Sequence, residues 1–466
     1  MDVAAGISRP RRPWKVRLAS AALAAAFGLS LVPGGAYADG IPVVRDAETE
    51  ALLADYLRPI FKAAGITPPK IHIVPSNEFN AFVADKGDMF VNTEAIIETK
   101  TPNELIGILA HETGHIADQD TARLVQQMND TKTAMLIASL VGAGAAVAGA
   151  ATGSQDAGRA GMGIFSAVPG VAERSLLTFR RDQESGADRN AVKYLTAAGQ
   201  SPAGMLAVMQ RLANDALLET QDIDPYLQSH PLPRERVAEL QDLIAKSPYI
   251  NVKDPPALQL RHDLVRAKIV GFTWPADKVL RQYPMTDQSL PAKYARAVLT
   301  YRTGKPAQAQ VQIDELIRAN PNDAYFYELK GQALLETGSV APSVAALRKA
   351  VALDPSSNIL KVLLGQALMA SGSASAADEV VSLLSVALQK EPDLSDGYPA
   401  LARAYALKGD EPMAQLATAQ GLFAQGDYQG AKIQATRAQA KLKRGSPAWL
   451  RADDIVSYKA PSSSNQ

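Results

Sequence analysis

The residues of this sequence best equipped for chemistry are His111-Glu112-Thr113-Gly114-His115. Residues four apart on an α-helix lie one above the other on the same face, so His111 and His115 can present both imidazoles to one metal ion. Glu112 is offset from that pair and is placed to act on water beside the metal. This is the arrangement of a zinc hydrolase helix, with Glu112 as general base. The helix should begin near Pro102, and Leu105, Ile108 and Leu109 recur at helical spacing, which puts one face in a core. The bland alternative is a helix that happens to carry two histidines. It leaves unexplained why a chain with five histidines in 466 residues sets two of them, with a glutamate, on a buried helix.

A third protein ligand is needed for a zinc site that keeps its fourth position for water. The chain has no cysteine, so disulfides and thiolate ligands are excluded and His, Asp and Glu must hold the metal. Glu184, in RRDQESGADRNAVKYL, is the candidate. Ala187, Ala191, Val192 and Leu195 give this segment an apolar helical face. Asp188, one turn beyond Glu184, can accept a hydrogen bond from the far nitrogen of a ligand histidine. Such a spacing is common on solvated helices, and its weight comes from its place after the histidine pair.

Several further elements must position or accompany these residues. The length implies more than one domain. The 48 basic and 48 acidic residues cancel, which argues against a polyanion-binding surface, and no nucleic-acid partner is expected. Residues 1–38 have the pattern of a signal peptide. Arg9, Arg11, Arg12, Lys15 and Arg17 precede an apolar run from Leu18 to Val32, and Ala36-Tyr37-Ala38 supplies a cleavage site. The run ends at Pro33-Gly34-Gly35, too short for a good anchor. No cysteine follows the cleavage site, so a lipoprotein is excluded, and export to a bacterial periplasm is the expectation.

Asp46 to Ala64 reads as a surface helix, and Ile71–Val74 and Met89–Val91 as short strands, with His72 exposed or hydrogen-bonded in the first. Ala134 to Thr152 carries no charge, and a shorter apolar stretch runs from Gly161 to Val171. One membrane crossing between His115 and Glu184 would separate two ligands of one metal. The second stretch, interrupted by Pro169, is too short for a return crossing. Residues 134–171 therefore read as an apolar flap with peripheral membrane or partner contact. His230 lies in YLQSHPLPRER, where Pro231 and Pro233 mark a loop and Arg236 follows. Prolines punctuate short helices over residues 251–290, the expected helical linker between domains. Beyond it Gly304, Gly338 and Gly372 are 34 residues apart, as are Pro321 and Pro355, the period of tetratricopeptide helix pairs. Gly409 and Gly426 follow at irregular spacing, a degenerate cap. Residues 446–466 form a tail whose Ser-rich end is expected to be disordered.

The segments Asn80-Ala81-Phe82, Phe90-Val91-Asn92-Thr93, Asn103-Glu104-Leu105 and Ala110 to His115 together resemble the HtpX/CAAX-protease type of zinc metallopeptidase. The resemblance is strongest to its periplasmic branch with C-terminal tetratricopeptide repeats, and covers about Arg45 to the end of the repeats. It implies an α+β zincin-type metallopeptidase domain over residues 39–250, then an all-α tetratricopeptide-repeat solenoid over residues 291–445. It also implies Glu184 as third ligand and Asp188 behind a ligand histidine. His230 becomes a fourth ligand or regulatory plug, with Arg236 nearby. The expected activity is that of an exported endopeptidase with one Zn2+ per chain, cleaving unfolded or misassembled proteins in the quality control and assembly of outer-membrane proteins. The repeats would dock the assembly machinery, and Met89, Phe90, Val91 and Asn92 would receive substrate as an added strand. The rival reading is a repeat-based chaperone with a latent or structural zinc domain. Two positions depart from the family pattern: Glu94, where glycine is common, and Asp120, where a second histidine often stands. Both are expected to bear on substrate detail rather than on the metal chemistry.

Overall fold

Two helices and a small sheet fix where the HETGH segment lies. The computed structural model of the protein describes residues 37–38, 41–84, 87–133, 135, 155–218, 226, 230–231 and 234–459. The expected signal segment falls outside them apart from Tyr37–Ala38 (β1), which pairs with Ile41–Pro42 (β2). Helix α1, Ala47–Ala64, starts where the Asp46 side chain accepts from the Thr49 N–H at 2.8 Å, and it ends at Gly65 in the left-handed region. Its apolar positions are more deeply buried than a surface helix would have them. Leu52, Leu53, Tyr56, Leu57, Ile60 and Phe61 all lie in the core.

The sheet has the order β3-β5-β4. β3 (Ile71–Val74) runs parallel to β5 (Met89–Asn92), with Ile73 opposite Val91, and β4 (Ala81–Val83) runs antiparallel to β5 on its other side. This corrects the expected substrate strand. Met89, Phe90, Val91 and Asn92 form the central strand, fully buried and hydrogen-bonded on both sides, so their backbone has no free edge to offer. β4, three residues long, was not evident in the sequence as a strand. His72 is buried rather than exposed; it hydrogen-bonds Asp88 at 3.1 Å and stacks on Phe90.

After α2 (Thr93–Glu98) comes α3, Pro102–Asp118, which carries the motif. Thr101 caps it, Pro102 occupies its first turn, and Gln119 closes it with φ 55°. Glu184 and Asp188 sit on α4, Gln155–Ala197, a single helix of 43 residues. Its backbone passes through Pro169 without interruption, so residues 161–171 continue the helix that bears Glu184 instead of forming a separate stretch. Most of the first apolar run, residues 134 and 136–152, lies outside the described residues. Among the described residues no helix is long and apolar enough to cross a membrane. The approach of α3 to α4 depends on Gly114. A Cβ there would lie 2.9 Å from the backbone of Ala187, so any larger residue would push the two metal-ligand helices apart. α5 (Ala203–Leu218) and α6 (Arg234–Ala245) complete this core.

The expected helical linker is made of helices but does not stand apart from the domain before it. Residues 256–273 form an 18-residue helix, α7, and Val265, Ala267, Ile269 and Val270 pack into the same core as the motif helix. Its prolines stand outside helix interiors, at helix starts and in turns. α8 (Ala276–Gln282) leads to helices that pack mainly on their sequence neighbours: α9 Leu290–Arg302, α10 Pro306–Ala319, α11 Ala324–Glu336, α12 Val340–Leu353, α13 Asn358–Ala370 and α14 Ala377–Lys390. α15 Tyr398–Leu407, α16 Glu411–Ala424 and α17 Tyr428–Gln439 continue the series. Gly304, Gly338, Gly372, Gly409 and Gly426 all adopt positive φ, each turning one helix into the next. α9 itself contributes Ala292, Ala295 and Leu299 to the motif core, so no boundary at residue 291 divides the packing. The tail begins as a helix, α18 (Pro447–Ser457), whose Ala452 and Ile455 close the last pair.

Candidate metal centre

His111 and His115 stand one turn apart on α3, both buried, with their Nε2 atoms 3.2 Å apart. α4 brings Glu184 to them: its carboxylate oxygens lie 3.4 Å from His111 Nε2 and 3.5 Å from His115 Nε2. His230, between α5 and α6, places Nδ1 3.0 Å from Glu184 Oε1 and 3.4 Å from His111 Nε2. One donor atom from each of these four residues lies within 4.8 Å of the others. Three imidazoles and a carboxylate converging in this way are a donor set suited to zinc.

Around them is a framework of acids and one arginine. His111 Nδ1 lies 2.9 Å from Asp188 Oδ1, and His115 Nδ1 lies 2.8 Å from Asp120 Oδ2. Arg236, on α6, donates from Nε to Asp188 Oδ2 at 2.5 Å and from Nη2 to Oδ1 at 2.9 Å, a bidentate grip. Its Nη1 reaches Glu184 Oε2 at 2.7 Å and donates to the Pro231 carbonyl at 3.0 Å. One guanidinium thus ties α4, α6 and the His230 segment together. Tyr226 is fully buried, stacks on the His230 ring with centroids 4.7 Å apart, and meets Phe79 edge-on.

The charges follow from this packing. Burial alone would raise the Glu184 carboxyl, but His230 and His111 beside it hold it far below the usual range. Burial opposes ionisation of Asp188 as well, and the Arg236 and His111 hydrogen bonds bring it to about 2. Burial disfavours a charged His111, yet contact with Asp188 and Glu184 pushes it up to about 9. A proton therefore competes with any metal for these donors. Glu112 differs from the other acids. It is completely buried, and neither carboxylate oxygen has a hydrogen-bond partner among the described residues; His230 Nε2 lies 3.6 Å away. A carboxylate kept in that condition at a metal-ligand cluster fits a proton acceptor for water.

The structure thus brings together His111, Glu112, His115, Glu184, Asp188, His230 and Arg236, all legible in the sequence. It sets Met89–Asn92 in the interior of the sheet. Glu94 is buried at the start of α2, where burial and nearby Glu98 raise its carboxyl and Trp274 bonds it. Asp120 is the residue the sequence reading misplaced, since it touches a metal-ligand candidate directly. An acid five residues after His115, just past the helix end, was the available signal.

The fold and site define a metallopeptidase domain. Residues 47–244 match the model for Peptidase family M48, and this segment is an M48 domain. Over 396 residues the chain is 24% identical to the Beta-barrel assembly-enhancing protease of Yersinia pestis, covering 83% of this chain and 78% of that protein. The protein of the same name from Escherichia coli K12 is 23% identical over the same length, covering 77% of that protein. Protease HtpX of Acinetobacter baylyi is 29% identical over 221 residues, which is 42% of this chain and 72% of HtpX.

Proposed function

We propose that this protein is an exported zinc endopeptidase acting on unfolded or misassembled proteins, in the assembly and quality control of outer-membrane proteins. The observation that carries it is Glu112, buried beside four converging metal donors, with no hydrogen-bond partner among the described residues and only His230 Nε2 near it at 3.6 Å. The names of the M48 relatives support the biological setting. His111, His115 and Glu184 would hold one zinc ion, whose Lewis acidity acidifies water and polarises a peptide carbonyl. Glu112 takes the proton of the attacking water and delivers it to the leaving amine. Asp188 orients His111, and Arg236 holds Asp188 and Glu184 in place. Substrate would add to β4 rather than to β5. β4 is an edge of the sheet, and Phe79 just before it packs on Tyr226, which stacks on His230. The helix pairs with glycine turns 34 residues apart are read as tetratricopeptide repeats serving as a docking surface.

His230 favours a second reading, because four protein ligands are the mark of a structural zinc site. We take it instead as a plug, held beside the ligands by Tyr226 and by the Arg236 bond to Pro231, and withdrawn when substrate or a partner engages. Digestion of unfolded casein by the purified chain tests both points. Cleavage should stop on chelation and return with zinc, and His230→Ala should retain zinc and cleave faster than wild type. Cleavage indifferent to chelation would defeat the metallopeptidase reading. A His230→Ala protein that keeps zinc but cleaves more slowly would defeat the plug.

A further inference from the structure

Asp120 lies outside both the HETGH segment and the Glu184–Asp188 turn, yet it is the partner of a metal-ligand histidine. Its Oδ2 is 2.8 Å from His115 Nδ1, and the residue is only 6% exposed. Two independent features hold it there. Gln119 takes φ 55°, the one positive φ at a non-glycine among the described residues, and folds the chain back against the last turn of α3. Such a conformation carries a cost at a side chain like glutamine and persists where surrounding contacts demand it. One of those contacts comes from α4, where Gln183, the neighbour of Glu184, donates from Nε2 to the Asp120 carbonyl at 2.8 Å. A second comes from the preceding residue, since Asn190 Nδ2 donates to Asp118 Oδ2 at 2.9 Å. The helix that brings the carboxylate donor therefore also locks the turn that brings Asp120.

We propose that Asp120 is a positioning residue of the metal centre. By accepting from His115 Nδ1 it would fix the tautomer that leaves Nε2 free for an ion, hold the orientation of the ring, and make the imidazole a stronger donor. Each histidine of the motif then has its own acid, Asp188 for His111 and Asp120 for His115. The two acids are not equivalent. The charge of Asp188 is shared with the Arg236 guanidinium, whereas among the described residues no arginine or lysine contacts Asp120. No arginine or lysine among the described residues draws it away from His115, so its loss should weaken metal binding at least as much as loss of Asp188.

This inference rests on the zinc reading above, and its test reads metal binding rather than activity. Zinc affinity is measured by competition with a chromophoric chelator, and the visible spectrum is recorded with Co2+ in place of zinc. Both are done for wild type, Asp120→Ala, Asp120→Asn and, as a control at an exposed acid on α4, Asp182→Asn. Asp120→Ala should bind zinc about ten- to a hundredfold more weakly and shift the cobalt bands. Asp120→Asn keeps an acceptor without the charge and should fall between Asp120→Ala and wild type, while Asp182→Asn should match wild type. If Asp120→Ala does not fold by circular dichroism, Asp120→Asn decides alone. A folded Asp120 variant with wild-type affinity and an unchanged cobalt spectrum overturns this inference and leaves the zinc reading standing. A wild-type chain without zinc affinity overturns both.

Discussion

Two buried ionic clusters in this molecule solve the same electrostatic problem in different ways. At the metal centre, Glu184, Asp188, Asp120 and Glu112 are gathered around imidazoles on α3 and the His230 segment. In the second cluster, Lys268 of α7 reaches Asp46 at 2.5 Å, Glu328 at 3.1 Å and Glu48 at 3.5 Å, all buried. Tyr294 of α9 donates to Glu48 at 2.9 Å, and Thr49 donates to Asp46. Each cluster has a cation of the chain, Arg236 in the first and Lys268 in the second, but only in the second does it reach every acid, within 3.5 Å. The first leaves Glu112 with neither oxygen bonded among the described residues. A complete ionic cluster joins elements, here the start of α1, α7 and the repeat-like helices. An incomplete one is equipped to act on something brought to it.

The largest effect is expected at Lys268. Lys268→Met leaves three buried carboxylates without their cation, and removing one partner of a buried ion pair costs about 3–5 kcal/mol. Denaturant unfolding should show that loss, and adding Glu48→Gln and Glu328→Gln to the same chain should recover much of it. Unchanged stability for the single variant would mean that the cluster does not join the elements it touches.

A smaller effect is expected in the pH dependence of this cluster. Burial raises Glu328 to about 7 and Glu48 to about 8, with Lys268 opposing in each case. Both lie above the ordinary glutamate value of about 4.3, so over the intervening range the folded chain keeps protons that the unfolded chain releases. Their stabilising contribution is complete below about pH 4 and is lost as pH rises through about 7–8. Asp46 is shifted down and Lys268 up, so neither titrates between pH 5 and 8. In metal-free protein the melting temperature of Glu328→Gln should therefore fall less between pH 5 and 8 than that of wild type, by a few degrees. An identical slope would remove Glu328 from the account.

What the sequence showed and what it hid divide along physical lines. The His111/His115 pair was legible because it rests on helical spacing, and an i, i+4 pair stays on one face wherever the helix packs; Glu184 and His230 were legible from their place after it and from the family resemblance. Helix pairs were legible from glycines at fixed period, because each must adopt a left-handed turn. Sheet order was not legible. β5 reads as a strand, but whether a strand is central or at an edge depends on where its neighbours return, and β4 is only three residues long. The proline-rich stretch was legible as short helices but not as part of the core, since helix-starting prolines such as Pro256 and Pro291 do not say what the helices pack on. Asp120 was hidden because its contact with His115 depends on one left-handed residue, Gln119, that nothing in local composition demands.

The central claim, that Glu112 is the proton acceptor of a metal centre it does not itself build, is tested by Glu112→Gln. Zinc stoichiometry and cleavage of an unfolded protein are measured on the same preparation. The substitution keeps the shape and removes the base, so zinc should remain at the wild-type level while cleavage is lost. Cleavage at the wild-type rate with zinc bound would contradict the account, as would loss of zinc together with activity, which would make Glu112 part of the metal's own support.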